Sequence, residues 1–292
     1  MHFKLTAADK SDVGKQREQN EDKAYKRIES LDDGDRGLFI VADGMGGYKA
    51  GEIASQLAVD TISRGLDSFF KPIPDQPTIQ LSITAQDPDE TVVKKPGPAS
   101  DARRTNKLAE TYMGEAVENQ LKAAIQQANR AILRYGEQKP SAHGLGSTVT
   151  VALINNNHAF IANVGDSRTY LLRGNDLQPV TKDHSLVQKL VEANQISPDD
   201  VYTHPQRNLI YRSLGAGHKN IEVDVFQEKV QPGDTFLLCS DGLWEMVRYQ
   251  DLKKVLSEQR SPQKICDMLI DMANANGGED NITAIVIHIS AQ

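Results

Sequence analysis

The chain has 292 residues, so at ~150 residues per domain the starting expectation is one domain or two. Its 40 acidic side chains outnumber 33 basic ones for a formal charge of −7, which disfavours a general nucleic-acid or anionic-membrane binder. A hydrophobic content of 39% excludes disorder of the whole chain, and two cysteines, Cys239 and Cys266, exclude a disulfide scaffold and suit a reducing compartment.

No apolar run approaches the ~20 residues of a bilayer span, and the first residues lack an apolar stretch followed by a small-residue cleavage site. A cytoplasmic protein with neither membrane nor nucleic-acid partners is therefore expected, monomeric and built as one unit over 1–292. Within the first 70 residues, 37–42 (Gly-Leu-Phe-Ile-Val-Ala) read as a buried strand. From Gly51 onward, Ile53, Leu57, Ile62, Leu66 and Phe69 recur at roughly helical spacing.

Residues 71–106 change character. They carry Pro72, Pro74, Pro77, Pro88, Pro96 and Pro98 with few aliphatics, a composition that cannot offset chain entropy, so a mobile insertion is predicted. A long helix follows over 108–135, with Met113, Val117, Leu121, Ile125 and Ile132 on one side. Residues 148–154, 158–164 and 169–172 are strand-like, with Asn155-Asn156-Asn157 a hairpin turn. The polar stretch 183–217, with helical fragments and a break at His204-Pro205, is expected to form a flap that shapes substrate access. Strands at 222–227 and 235–239, two helices between 244 and 276, and a strand at 282–289 complete the chain. Antiparallel strands in succession with inserted helices predict an α+β fold rather than a parallel βαβ sheet.

Apolar strands repeatedly end in, or start from, an aspartate. Residues 38–42 deliver Asp43-Gly44, 235–240 deliver Asp241-Gly242, 160–165 deliver Asp166, and Asp280 stands just before 282–289. Each alone is ordinary turn chemistry. Four at strand mouths are a different matter: if those ends converge, the carboxylates repel unless cations neutralise them. An all-oxygen set favours hard ions such as Mg²⁺ or Mn²⁺ over zinc, and glycine after Asp43 lets the Gly44 carbonyl approach an ion closely.

The residues Arg17-Glu18-Gln19-Asn20-Glu21-Asp22, Val41-Ala42-Asp43-Gly44-Met45-Gly46-Gly47, Gly146-Ser147-Thr148, Val164-Gly165-Asp166-Ser167-Arg168, Cys239-Ser240-Asp241-Gly242-Leu243-Trp244 and Gly278-Glu279-Asp280-Asn281 occur in this order. Together they resemble the metal-dependent Ser/Thr phosphatases of the type 2C family. Asp43-Gly44-Met45-Gly46-Gly47, with 183–187 and 204–208, is similar to the bacterial branch. The resemblance implies a central antiparallel β-sandwich flanked by helix pairs, with two ions, Mn²⁺ or Mg²⁺, at one end. It implies that Asp43 bridges both ions, that the Gly44 carbonyl binds one, and that Asp241 and Asp280 bind the other. Glu21 would act through a metal-bound water with Asp22 beside it, and Asp166 with Asp241 would hold a third, weaker ion. Arg17 matches the family's phosphate-binding arginine. The implied reaction is hydrolysis of phosphoserine and phosphothreonine by attack of a metal-bridging hydroxide, on proteins phosphorylated by bacterial Ser/Thr kinases.

A phosphate monoester is dianionic and resists attack, so metals that neutralise it and acidify water suit it, and a guanidinium adds a bidentate grip. Many eukaryotic members have His after the Asp-Gly pair, where this chain has Met45; a metal-bound water, Tyr48, His184 or His204 is left to protonate the leaving group. Most of the seven histidines are read as surface residues and both cysteines as core thiols. Trp244 is read as a packing residue beside Asp241.

Rival readings are weaker. Asp87-Pro88-Asp89-Glu90-Thr91 matches the string of aspartyl-nucleophile phosphatases but lacks a buried strand before it. A Cys-based phosphatase needs Arg six residues after Cys, and Glu245 and Met272 stand there. A catalytically silent scaffold of the same fold, or a hydrolase of small phosphoesters, remains as an alternative function.

Overall fold

The computed structural model describes residues 3–31, 34–46, 50–71, 98–139, 144–155 and 157–292, with the backbone alone over 98–113. Along the chain run β1 (Phe3–Asp12), β2 (Asp22–Leu31), β3 (Gly34–Met45), α1 (Ala50–Gly65), α2 (Pro98–Gln138), β4 (Gly146–Ser147), β5 (Val149–Asn155), β6 (His158–Val164), β7 (Arg168–Arg173) and β8 (Asp176–Pro179). Then come α3 (Leu186–Glu192), β9 (Leu214–Gly215), β10 (Asp224–Lys229), β11 (Thr235–Cys239), α4 (Asp241–Trp244), α5 (Tyr249–Leu256), α6 (Pro262–Ala275) and β12 (Ile282–Ala291). One sheet has the order β1-β12-β11-β7-β8; the other runs β10-β6-β5-β3-β4-β9, with β2 beside β3. Every strand pairing among the described residues is antiparallel.

Alternation along each strand divides the apolar side chains between two layers. On β3, Phe39 and Val41 face the other sheet and meet Phe236, Leu238, Ile285 and Ile287 from β11 and β12. Leu38, Ile40 and Ala42 face outward onto α1 and α2, against Ala54, Ala58, Ile62, Leu121, Ile125 and Ile132. Both faces of β3 are thus covered, which is why its 38–42 run is apolar throughout instead of alternating. The second sheet is covered likewise: Leu237, Cys239, Ala284 and Val286 pack on α4, α5 and α6 through Leu243, Leu252, Ile265 and Leu269. The result is helix, sheet, sheet, helix, the α+β sandwich expected. Leu121 is fully buried at the centre of one helix layer, and truncating it to alanine would cost about 2–5 kcal/mol.

Two expectations shift. The long helix starts at Pro98, ahead of the predicted 108, because proline fits the first helical turn where its missing N–H is no loss. The last residues of the proposed 71–106 insertion are therefore helical; its 72–97 portion, with the Asp87–Thr91 string, lies outside the described residues, as do Tyr48 and Lys49. The 222–227 strand is instead Asp224–Lys229, set by its pairing of Asp224 with Asn163 and Lys229 with His158. Asn155 pairs with His158 across the turn, and both cysteines are free and buried.

Antiparallel pairing places the end of one strand beside the start of the next, and this builds the site. Asp22 opens β2 directly opposite Asp43 near the end of β3. Cys239 at the end of β11 faces Ala284 near the start of β12, so Asp241 and Asp280 emerge together.

Candidate active site

Arg17, Glu21, Asp43, Gly44, Asp166, Asp241 and Asp280 line one cavity of about 240 Å³ at this end of the sandwich. Met45, Gly46, Thr148, Asn208 and Ile210 complete its wall. The strand-mouth aspartates, up to 237 residues apart (280 − 43), therefore converge.

Each is held by its backbone. The Asp43 carbonyl accepts from the Thr148 N–H at 2.9 Å and from the Ser147 hydroxyl at 3.0 Å. Gly44 donates to the Glu21 carbonyl at 3.2 Å. A Cβ on Gly44 would collide with the carbonyls of Gly51 and Glu21, so only glycine lets α1 approach the strand end. The Glu21 carboxylate lies against Gly51 at the start of α1. Glu21 also donates its N–H to Asn281 Oδ1 at 2.8 Å, while Asn281 Nδ2 bonds the carbonyls of Val13 and Gln19. Asn281 thereby pins the loop that carries Arg17 and Glu21 onto Asp280.

Asp166 follows Gly165, whose φ of +111° and contact with Thr148 exclude a side chain. Its carbonyl accepts from Trp244 Nε1 at 2.9 Å. Trp244 is thus a buried packing residue that also fixes the Asp166 turn. His184 clamps the same turn: its Nδ1 accepts from the Gly165 N–H at 3.0 Å, and its Nε2 lies 3.2 Å from Asp224 Oδ2. Nε2 also lies 3.0 Å from Arg212 Nη1. His184 is 3% exposed; it faces Gly165 and Asp224 and does not line the cavity, which counts against its candidacy as proton donor. His204 is also absent from the lining; its Nδ1 accepts from the Gln206 N–H. Neither stands where a leaving group could take its proton.

Asp22 does not line the cavity but lies buried behind it, with Oδ2 accepting from the Ser240 hydroxyl and Oδ1 lacking a hydrogen-bond partner. Arg17 Nη2 pairs with Asp280 Oδ2 at 2.6 Å. Among the described residues no three Asp, Glu, His or Cys groups are drawn into a formed metal-ligand cluster.

The electrostatics are those of a carboxylate cluster short of cations. Burial, then repulsion from Asp241, Asp22, Asp166 and Asp280, pushes the Asp43 carboxyl well above its ordinary range. Asp241 is raised in the same way, by burial and then by Asp166 and Asp280. Burial and then Asp183 raise Asp166 to about 7; burial raises Asp22 to about 6 against the hydrogen bonds of Ser240 and Thr283. Glu21 is raised by burial, opposed by Arg17. Buried, mutually repelling oxygen donors of this kind, one of them with no hydrogen-bond partner, fit hard divalent cations.

Asn208, Ile210 and Thr148 were given no site role from the sequence, although Thr148 and Asn208 lie in quoted motif stretches and 183–217 was expected to shape access. Asn208 and Ile210 come from the 183–217 stretch, whose two ends close on each other: Ser185 bridges Ile210, Leu186 donates to the Leu209 carbonyl, and Tyr211 donates to that of His184. Arg207 joins this stem to the carboxylate loops through Glu245 at 3.2 Å and Glu279 at 3.1 Å.

Known proteins share this arrangement. Residues 14–281 match the protein phosphatase 2C family. The serine/threonine phosphatase stp of Listeria welshimeri is 36% identical over 278 residues, 95% of this chain and 93% of its own. The crystal structure of the Mycobacterium tuberculosis serine/threonine phosphatase PstP/Ppp superposes with a TM-score of 0.73 at 33% identity, covering 98% of this chain and 99% of that one. The catalytic domain of serine threonine protein phosphatase PstP in complex with two manganese ions gives a TM-score of 0.72 at 30% identity, covering 99% and 100%. With its sandwich, its converging carboxylates and these relatives in agreement, the chain belongs to the protein phosphatase 2C family.

Proposed function

We propose that the chain is a metal-dependent protein phosphatase acting on phosphoserine and phosphothreonine, with the cavity between the two sheets' ends as its reaction centre. The observation that carries this reading is the convergence of Glu21, Asp43, Asp166, Asp241 and Asp280 on one 240 Å³ cavity beside Arg17. A relative bearing two manganese ions supports the same donor set as a two-ion centre.

In this reading Asp43, the Gly44 carbonyl, Asp241 and Asp280 would hold two ions, Asp166 with Asp241 would hold a third, Glu21 would contribute through water, and Asp22 would support them from behind. When bound, Mn²⁺ or Mg²⁺ supplies the positive charge that a phosphate dianion needs and lowers the pKa of the attacking water. The chain's own residues do the rest. Arg17 offers a planar, two-pronged donor to phosphate oxygens and exchanges its Asp280 partner for them. Its side chain is half exposed, so it can turn without unpacking the core. Asn208 and Ile210 narrow the mouth and keep bulk solvent from the reacting phosphate. Asn281 and Trp244 hold the Glu21 and Asp166 loops in register.

The substrates are the products of Ser/Thr kinases, so the enzyme opposes such kinases. Site residues running from Arg17 to Asp280 support a single catalytic unit. Two buried free thiols are consistent with work in the cytoplasm, and a monomer carries a complete site. No helix among the described residues is long and apolar enough to cross a membrane.

The test is Mn²⁺-dependent release of phosphate from a phosphothreonine peptide. Asp241→Asn should abolish it, and full activity in EDTA would overturn the proposal.

A further inference from the structure

A second, larger cavity lies away from the carboxylates. Its volume is about 890 Å³, within the range of pockets that enclose drug-sized ligands. It opens between β7–β8, the helical part of the 183–217 stretch and the start of α5. The proposed reaction uses none of the side chains that form it.

Its walls are aromatic and aliphatic: Tyr202, Tyr249 and Phe226 with Val191 and Val201. The rings are braced. The Tyr249 hydroxyl donates to the Leu177 carbonyl, and Tyr202 packs edge-on to Trp244 with centroids 6.2 Å apart. Rigid aromatic faces of this kind suit a flat apolar body.

The charged lining is biased to one sign. Arg168 and Asp183 neutralise each other in a buried pair at 2.6 Å. That leaves Arg248 and Lys182 against Asp199. Arg248 is exposed and lies flat over the Tyr202 ring at 4.0 Å, while Lys182 is held only by a 3.7 Å contact with exposed Glu192. Both cations can turn to an anionic group at the mouth.

The floor leads to the reaction centre. Arg168 stacks on the Trp244 ring at 3.4 Å and donates to the Tyr170 hydroxyl at 3.0 Å, and Trp244 holds the Asp166 carbonyl at 2.9 Å. Asp183, the other half of the floor pair, immediately precedes the His184 that clamps Gly165. A body pressing on Arg168 and Asp183 therefore displaces the turn that carries Asp166 from both sides.

We propose that this cavity is a regulatory site for a planar aromatic compound carrying an anionic group. The aromatic body lies between Tyr202, Tyr249 and Phe226, the anion meets Arg248 and Lys182, and occupancy alters turnover through the Arg168–Trp244 contact.

The probe is 8-anilinonaphthalene-1-sulfonate, titrated by fluorescence into the Mn²⁺-loaded full chain, with turnover of p-nitrophenyl phosphate followed in parallel. Saturable binding at one site is expected, weakened about tenfold in Arg248→Glu and in Lys182→Glu. Both residues are exposed, and unchanged far-UV circular dichroism and turnover without probe verify that the variants fold. At saturating probe, turnover by the unmodified chain should change at least threefold, and Arg248→Glu at the same concentration should not respond. Binding is read without catalysis, so it stands apart from the assignment of activity. Absence of saturable binding, affinity in both variants equal to that of the unmodified chain, or saturation with turnover unchanged would each overturn the proposal.

Discussion

The Ser240 hydroxyl donates to Asp22 Oδ2 at 2.7 Å and accepts from the Thr283 N–H at 3.0 Å, tying the start of β2 to the ends of β11 and β12 through one side chain. This bond spans 218 residues of sequence and lies directly before Asp241. Ser240→Ala removes the hydroxyl that donates to Asp22 Oδ2 in a buried site, a loss of about 1–3 kcal/mol. Thermal denaturation should show that loss, and the Mn²⁺ concentration for half-maximal activity should rise. An unchanged midpoint with unchanged Mn²⁺ dependence would show that the bond is dispensable.

Arg17 should govern substrate capture more than turnover. Its guanidinium is half exposed and pairs with Asp280. Arg17→Ala should raise KM for a phosphothreonine peptide about tenfold or more, as expected for loss of a charge-assisted hydrogen bond of about 1.5–3 kcal/mol. Arg17→Lys should recover only part of this, because an ammonium cannot present two parallel donors. Full recovery by lysine would point to simple charge.

The metal-free protein should lose stability as pH rises. The folded carboxyls of Asp22 and Asp166 titrate at about 6 and about 7, against an ordinary value of 3.8. Between 3.8 and those values the folded chain binds protons that the unfolded chain does not, so unfolding free energy falls with pH across that window. His184, whose pKa burial lowers, acts in the opposite sense near 6.5 and blunts the slope. In EDTA the melting temperature should drop by several degrees between pH 5 and pH 8. Asp166→Asn should flatten the drop, and Mn²⁺ at pH 8 should reverse it; a melting temperature that rises across this range would refute the assignment.

Arg207 ties the 183–217 stem to both carboxylate-bearing loops through Glu245 and Glu279. Releasing it with Arg207→Ala should loosen the wall formed by Asn208 and Ile210. A peptide's flanking residues should engage that wall more widely than p-nitrophenyl phosphate does. The variant should lose about three- to tenfold in kcat/KM on phosphopeptides, an effect of one to two ion pairs, and less on the small ester. Equal losses on both would show that the stem serves chemistry and not selection.

The strand-mouth aspartates were legible because buried strands are short, apolar and punctuated, and a carboxylate at such a boundary is conspicuous. Asp43, Asp166, Asp241 and Asp280 all reach the cavity on that ground. Arg17 was not legible by pattern: it sits in a charged, exposed turn, and only its motif singled it out. Asp22, expected beside Glu21 and not among the strand-mouth aspartates, opens β2 opposite Asp43 and lies behind the cavity, because opposing residues in an antiparallel pair can share a register and still reach different surroundings. Thr148 and Asn208 stood in motif stretches without a site role, and the place of Asn208 and Ile210 on the cavity wall depends on how the 183–217 stretch folds back, which no local periodicity encodes. His184 was offered as a proton donor from the sequence, yet its ring is taken up by Gly165 and Asp224, 19 and 40 residues away. The early start of α2 at Pro98 escaped because proline was counted as a breaker and not as a first-turn residue.

The pairing of β1 with β12, in which Phe3 faces Ala291 and Asp12 faces Ile282, has a kinetic consequence. Arg17 and Glu21 meet Asp280 and Asn281 only once that ladder has zipped, a contact of very large sequence separation. Such contacts bear the greatest loop-closure cost and form late. A nascent chain still lacking β12 can bury the β3–α1–α2 layer but cannot assemble a reaction centre, so hydrolytic competence arrives in one step, with the closure of the whole sandwich.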